Sequence, residues 1–252
     1  MITGDNADLK FVYNEPALIV EDGKRYLVVG DLHVGVERRF RDNGINIYGN
    51  EIRMAEKLLE IAGRFNTRRT ILLGDIKESV LYPEAHERRS LKSFFAKIEG
   101  MDVVVLRGNH DAHLDEIIGM EVMDEFTTRN FAFLHGNKWA SDDAIKKRTI
   151  VSGHSHVAVS VSDKNGARYT EKAWLIAERG NSKGIYGSIG AEELVVMPAF
   201  NELITGTPVG MDKGRSGREG MNPLLKNGVF SYGKARVFGV SGSYYGAVDE
   251  IA

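Results

Sequence analysis

The chain has 252 residues, 42% of them hydrophobic, with 33 lysines and arginines against 35 aspartates and glutamates for a formal net charge of −2. That length and apolar content suffice to close a substantial core, and the near-balanced charge excludes a global positive field that would draw in nucleic acid or an anionic membrane. Cysteine is absent, which excludes disulfides, thiolate metal sites, iron–sulfur clusters and thiol nucleophiles together, so any metal must be held by oxygen and imidazole.

In chain order, the opening MITGDNADLK lacks a basic patch followed by an apolar stretch. No apolar run reaches the roughly 18 residues needed to span a bilayer. The sequence therefore points to a cytoplasmic protein without a membrane partner. The runs ALIV at 17–20, YLVVGD at 26–31, TILLGD at 70–75 and VVVLRGN at 103–109 read as buried strands. Between them, Ile52, Ala55, Leu58, Leu59 and Ala62 recur at three- and four-residue steps, predicting a helix over 51–65. Leu91, Phe94, Phe95 and Ile98 do so over 84–98.

The first half is thus βαβαβ, with parallel strands and polar residues emerging at their C-terminal ends, the edge where ligands bind. From Phe131 onward the pattern turns to strand-like runs, FAFLHG, TIVSGHSH, VAVSV, AWLIAE, ELVVMPAF and ARVFGV, expected to form a second, mostly antiparallel sheet. The fold class expected is α/β, a two-sheet mixed β-sandwich flanked by helices, in a single domain over 1–252. Within it, the glycine-rich stretch 206–234, containing MDKGRSGREG, is expected to be a flexible loop or an insertion.

Five strand ends carry the chemistry: Gly30-Asp31-Leu32-His33, Gly74-Asp75, Gly108-Asn109-His110-Asp111, Leu134-His135-Gly136 and Gly153-His154-Ser155-His156. Five of the seven histidines fall in these motifs, leaving His86 and His113 as surface residues. An Asp and a His two apart on an extended segment face one side, so Asp31 and His33 can address one ion. A lone D-x-H or G-D is weak, but the assembled set in this order is specific.

The order D-x-H, G-D, G-N-H-D, H, G-H-x-H, over residues 30–156, resembles the calcineurin-like metallophosphoesterase superfamily. The segments DLHVG, RGNHD, LHG and LVVMPAFNELITG are similar to the archaeal SbcD-related phosphoesterases and the helicase-associated PdeM-type nucleases. The resemblance implies that Asp31, His33 and His156 bind one divalent metal, that Asn109, His135 and His154 bind a second, and that Asp75 bridges them. Manganese is the first choice, with iron, zinc or nickel also compatible with an all-oxygen-and-nitrogen set. His110 would stand beside the leaving oxygen as general acid or transition-state stabiliser, and Asp111 could fix its other ring nitrogen.

The sequence departs from the family's frequent G-D-x-x-D at Glu78, which can substitute. Lys77 is read either as a phosphate contact or as a solvated loop lysine. Arg38 and Arg39, in the segment after the first motif, are candidates to clamp a phosphodiester backbone, against the alternative of a solvated face. The expected activity is hydrolysis of phosphodiester bonds in DNA or RNA. Hydrolysis of small nucleotides or phosphomonoesters is the alternative, and a non-catalytic scaffold the third. A homodimer and a helicase or ligase partner are further implications of the resemblance.

Overall fold

The apolar runs are laid into two β-sheets in the computed structural model, which describes residues 9–162, 166–181, 184–209 and 221–251. The first sheet contains β1 (Leu9–Phe11), β2 (Leu18–Asp22), β3 (Lys24–Val29), β4 (Arg69–Leu72), β5 (Asp102–Leu106) and β6 (Val122–Met123), side by side in that order. β1, β2 and β3 are antiparallel neighbours, and β3 through β6 run parallel. A short α1 (Glu37–Arg41) follows β3. The crossovers between parallel strands are α2 (Asn50–Arg64) and α3 (Ala85–Lys97), each within a residue of its periodicity, and the short α4 (Leu114–Ile118) precedes β6. α2 buries Met54, Ala55, Leu58, Ile61 and Ala62 along one face, the stripe that its three- and four-residue spacing dictates.

The second sheet is built from β7 (Glu125–Thr127), β8 (Phe131–Leu134), β9 (Thr149–Ser152), β10 (Val157–Ser162), β11 (Arg168–Glu178), β12 (Glu193–Val196), β13 (Thr207–Pro208), β14 (Arg236–Gly239) and β15 (Tyr244–Ala247). Its order is β13-β10-β11-β12-β9-β8-β7, with β14 pairing β11 and β15. Antiparallel pairs predominate, but β8, β9 and β12 are parallel neighbours. This matters for function, because β8 and β9 then release their following residues at the same edge.

Strand alternation builds three apolar layers. Leu27, Val29 and Leu72 face α2, α3 and α4 together with Leu58, Leu91 and Phe94. Their neighbours Val28, Ile71 and Leu73 turn inward to meet Phe131, Phe133, Val151, Trp174 and Val195 of the other sheet. Ala132, Leu134, Ile150, Leu175 and Leu194 line the outer face of that second sheet. Period-two alternation thus covers both faces of both sheets.

The stretch 206–234 is not a loop throughout. It begins with β13, and α5 (Pro223–Lys226) is capped by the Asn222 side chain, which accepts from the Leu224 N–H at 2.9 Å. Leu224, Leu225, Val229 and Phe230 are buried in the outer layer. The charged segment MDKGRSGREG lies outside the described residues. Among the described residues no helix is long and apolar enough to cross a membrane.

Candidate metal centre

The motif residues lie just past strand ends. Asp31 and His33 follow β3, Asp75 follows β4, Asn109, His110 and Asp111 follow β5, His135 follows β8, and His154 and His156 follow β9. Backbone bonds tie these loops together: Asp31 N–H donates to the Gly74 carbonyl (3.1 Å), His33 N–H to Asp75 (2.9 Å) and Gly153 N–H to His135 (2.9 Å).

Asp31, His33, Asp75, His154 and His156 all have positive φ, between 42° and 68°. This region is costly for side-chain-bearing residues and concentrates at functional sites. Asp31 and His33 therefore do not converge by strand alternation, as their spacing suggests. They lie beyond the strand, and a left-handed turn aims them.

Two glycines make the close approach possible. A Cβ at Gly108 would fall 2.1 Å from Asp75 Oδ1, and one at Gly153 would fall 2.7 Å from Asp31 Oδ2.

One group of donor atoms comes from Asp31, His33, Asp75 and His156, and a second from Asp75, His135 and His154. Within each group the atoms lie within 4.8 Å of one another, and Asp75 belongs to both. Asn109 Oδ1 stands 3.2 Å from His135 Nε2. Imidazole nitrogens face each other directly: His33 Nε2 and His156 Nε2 at 3.1 Å, and His135 Nε2 and His154 Nδ1 at 3.2 Å. The fold therefore brings all seven expected ligand residues to one place.

Charge follows from burial. Burial pushes the Asp31 carboxyl up, but the imidazoles of His156 and His135 outweigh it and hold it below its ordinary value. Asp75 is likewise held low against burial, by His135, the His110 amide and His33. Burial would push His33 and His135 down, yet the surrounding carboxylates raise both, His135 to about 9. Burial and the neighbouring His135 push His154 down to about 4, which leaves it neutral.

Two buried aspartates thus require positive charge, and among the described residues their only ion-pair partners are histidines. Protons on His33 and His135 meet that requirement in the way divalent cations would. A cation would do so while also separating the facing nitrogens. The donor set, oxygen and nitrogen only, fits two such ions.

The surrounding residues hold this set in place. His33 Nδ1 donates to Glu78 Oε2 at 3.0 Å, Glu78 also pairs with Arg39, and its carbonyl accepts from His110 Nδ1. His110 N–H donates to Asp75 Oδ1 at 2.9 Å. Asp111 is not the partner of the His110 ring that the sequence suggested. Its fully buried carboxylate accepts from the amides of Ile76 (2.9 Å), Lys77 (3.2 Å) and Gly108 (2.8 Å), clamping two loops.

Lys77 fits neither of its sequence readings, because it is fully buried and its ammonium caps the carbonyls of Ser79 and Leu81. Arg38 pairs with Glu84. His113 is a surface residue that bonds Glu116 at 2.9 Å.

Asn201 was not singled out in the sequence, although it lies in the MPAFN run. It is buried and donates to the Leu32 carbonyl at 2.7 Å while accepting from the Leu203 amide at 3.0 Å, which braces the first motif.

Residues 25–177 match the calcineurin-like phosphoesterase superfamily domain. Among solved structures, a Pseudomonas putida nuclease, MPE, superposes with a TM-score of 0.58 at 16% identity over 91% of each chain. The Escherichia coli phosphoesterase YfcE has a TM-score of 0.33 at 16% identity, covering 55% of this chain and 73% of that one. A conserved Streptococcus pneumoniae TIGR4 protein, described as a predicted phosphoesterase, also has a TM-score of 0.33, at 10% identity over 87% and 91%. These last two superpositions are too loose to bear on the argument. No curated protein matches in sequence. The chain belongs to the calcineurin-like phosphoesterase superfamily. With its paired donor groups, it is a metal-dependent phosphoesterase.

Proposed function

We propose that the chain hydrolyses phosphodiester bonds in nucleic acid, using two divalent cations, manganese first among them. Asp31, His33 and His156 would hold one cation, Asn109, His135 and His154 would hold the other, and Asp75 would serve both. The membership of Asp75 in both donor groups carries the reading. When bound, such a pair lowers the pKa of a water to make a nucleophile and neutralises charge on the phosphate.

The chain's own residues do the rest. The Glu78 carbonyl occupies His110 Nδ1, leaving Nε2 to present a proton to the departing oxygen. Glu78 orients His33 as an outer carboxylate orients a ligand imidazole. Asp111 keeps the Asp75 and Asn109 loops in register through backbone amides. Arg38 and Arg39 are exposed and close to the site, and they can reach backbone phosphates once their pairs with Glu84 and Glu78 open.

The likeness in fold to a Pseudomonas putida nuclease supports a strand as substrate. The net charge of −2 favours a second reading, hydrolysis of small nucleotides or phosphomonoesters. Purified protein with added manganese, assayed on bis-p-nitrophenyl phosphate, p-nitrophenyl phosphate, cyclic nucleotides and single- and double-stranded DNA, tests both. Cleavage of the diester and of DNA, abolished by EDTA, is the expected result. Diester turnover with DNA left intact would select the second reading.

A further inference from the structure

Beside the metal centre lies a cavity of about 490 Å³, within the range of pockets that hold small organic groups. Its lining includes His135, which also belongs to the group with Asp75 and His154, so the cavity lies against the residues of the donor set. Trp139, 45% exposed, also lines it.

An exposed tryptophan is ordinarily free to turn, but this one is braced. The Tyr186 ring meets it edge-on at 6.1 Å, and the Tyr186 hydroxyl donates to the carbonyl of the adjacent Ala140 at 2.9 Å. That packing on Tyr186 limits how far the indole can turn, which lowers the ordering cost that a loose side chain incurs on binding.

The charges around the cavity say what it is built to receive. Glu121, Asp124 and Glu125 oppose Arg107 and Lys138. Lys138 is already paired with Asp124 at 3.2 Å, and Arg107 donates to the Asp111 carbonyl at 3.1 Å. A phosphate would find no spare positive charge there. A flat, neutral, aromatic group would find an indole to stack on, and Asn137 offers an amide that both donates and accepts at a polar ring edge.

We propose that this cavity is a nucleobase subsite, in which Trp139 stacks the base of the nucleotide next to the scissile phosphate. This rests on the phosphodiesterase reading above and adds what that reading lacks, a source of affinity independent of net charge. Stacking on an aromatic side chain is sequence-tolerant and is worth about tenfold in affinity per base, or more.

The test uses manganese-loaded wild type, Trp139→Ala and Trp139→Phe. KM is measured for thymidine 5′-p-nitrophenyl phosphate, which carries one base, and for an octathymidylate strand. In parallel, Kd is measured by anisotropy for the octathymidylate and for an abasic octamer of the same length, on a His110→Ala background that cleaves them too slowly to disturb the titration. The alanine variant is expected to raise KM and Kd about tenfold for the base-bearing ligands. Phenylalanine should restore most of the loss, and the abasic octamer should bind equally with and without the indole.

A response confined to the strand would mark nucleic acid as the ligand, and a response shared by the mononucleotide diester would mark the nucleotide unit itself. If wild type cleaves the strand but Trp139→Ala leaves every KM unchanged, or weakens the abasic octamer equally, the subsite is refuted and the parent reading stands. If wild type with manganese turns over no diester at all, the parent reading fails, and the subsite fails with it.

Discussion

The two sheets contribute unlike halves of the centre. Loops after β3, β4 and β5 supply both buried aspartates, the Asn109 amide and one imidazole, whereas loops after β8 and β9 supply imidazoles alone. The first-sheet loops are also cross-tied by Asp111 and by direct backbone bonds. The second-sheet loops reach across mainly through side chains and through the His154 amide, which faces the Asp31 carboxylate. Negative charge is thus anchored on one sheet, and the other contributes imidazoles only. Neither sheet carries a complete set, and the chemistry depends on the apolar layer that presses the two together.

That division can be broken at several points. Asp75→Ala removes the one carboxylate common to both donor groups. Both metals should be lost, as read by metal analysis after gel filtration, and turnover should fall by about a thousandfold or more, since several kcal/mol of charge stabilisation go with them. His110→Ala should retain both metals yet lose about 10²- to 10⁴-fold in kcat, the usual range for a general acid. Stoichiometric metal with depressed turnover would separate the two roles.

Trp174→Ala probes the layer between the sheets, where the indole is buried and meets Phe11 edge-on at 4.7 Å. It should cost about 3–5 kcal/mol in urea unfolding. The mildest change is Glu78→Gln, which keeps the fold and weakens the carboxylate's hold on His33 and Arg39. It should weaken metal affinity about 10- to 100-fold in a calorimetric titration. An unchanged affinity there would mean that the first-sheet loops are rigid without that carboxylate.

Much of this arrangement is legible in the chain. Apolar periodicity places α2 and α3 within a residue of their bounds, because their buried stripes are local patterns read directly from spacing. The order of the strand-end motifs, with glycine beside each polar residue, announces the donor set. What escapes is decided by how the loops fold once the strands have ended. Lys77 sits two residues past a motif and looks solvated, yet its chain folds back so that the Ser79 and Leu81 carbonyls enclose its ammonium. Asp111 follows His110 and looks like its partner, but the amides of Ile76 and Lys77, more than thirty residues away, claim one of its oxygens and the Gly108 amide the other. The spacing of Asp31 and His33 leads to the right convergence for the wrong reason, since the strand ends before either residue and φ alone redirects them. The parallel placement of β8 against β9 is likewise invisible to alternation, which is the same for either strand direction.

The left-handed backbone at Asp31, His33, Asp75, His154 and His156 carries a cost that is absent at glycine. Glycine at His33 or His156 would meet no such penalty, but it would also strip Asp75 or Asp31 of an imidazole partner, so the strain and the charge compensation come as one package. The molecule accepts that strain at these positions to keep imidazole and carboxylate aimed at one point.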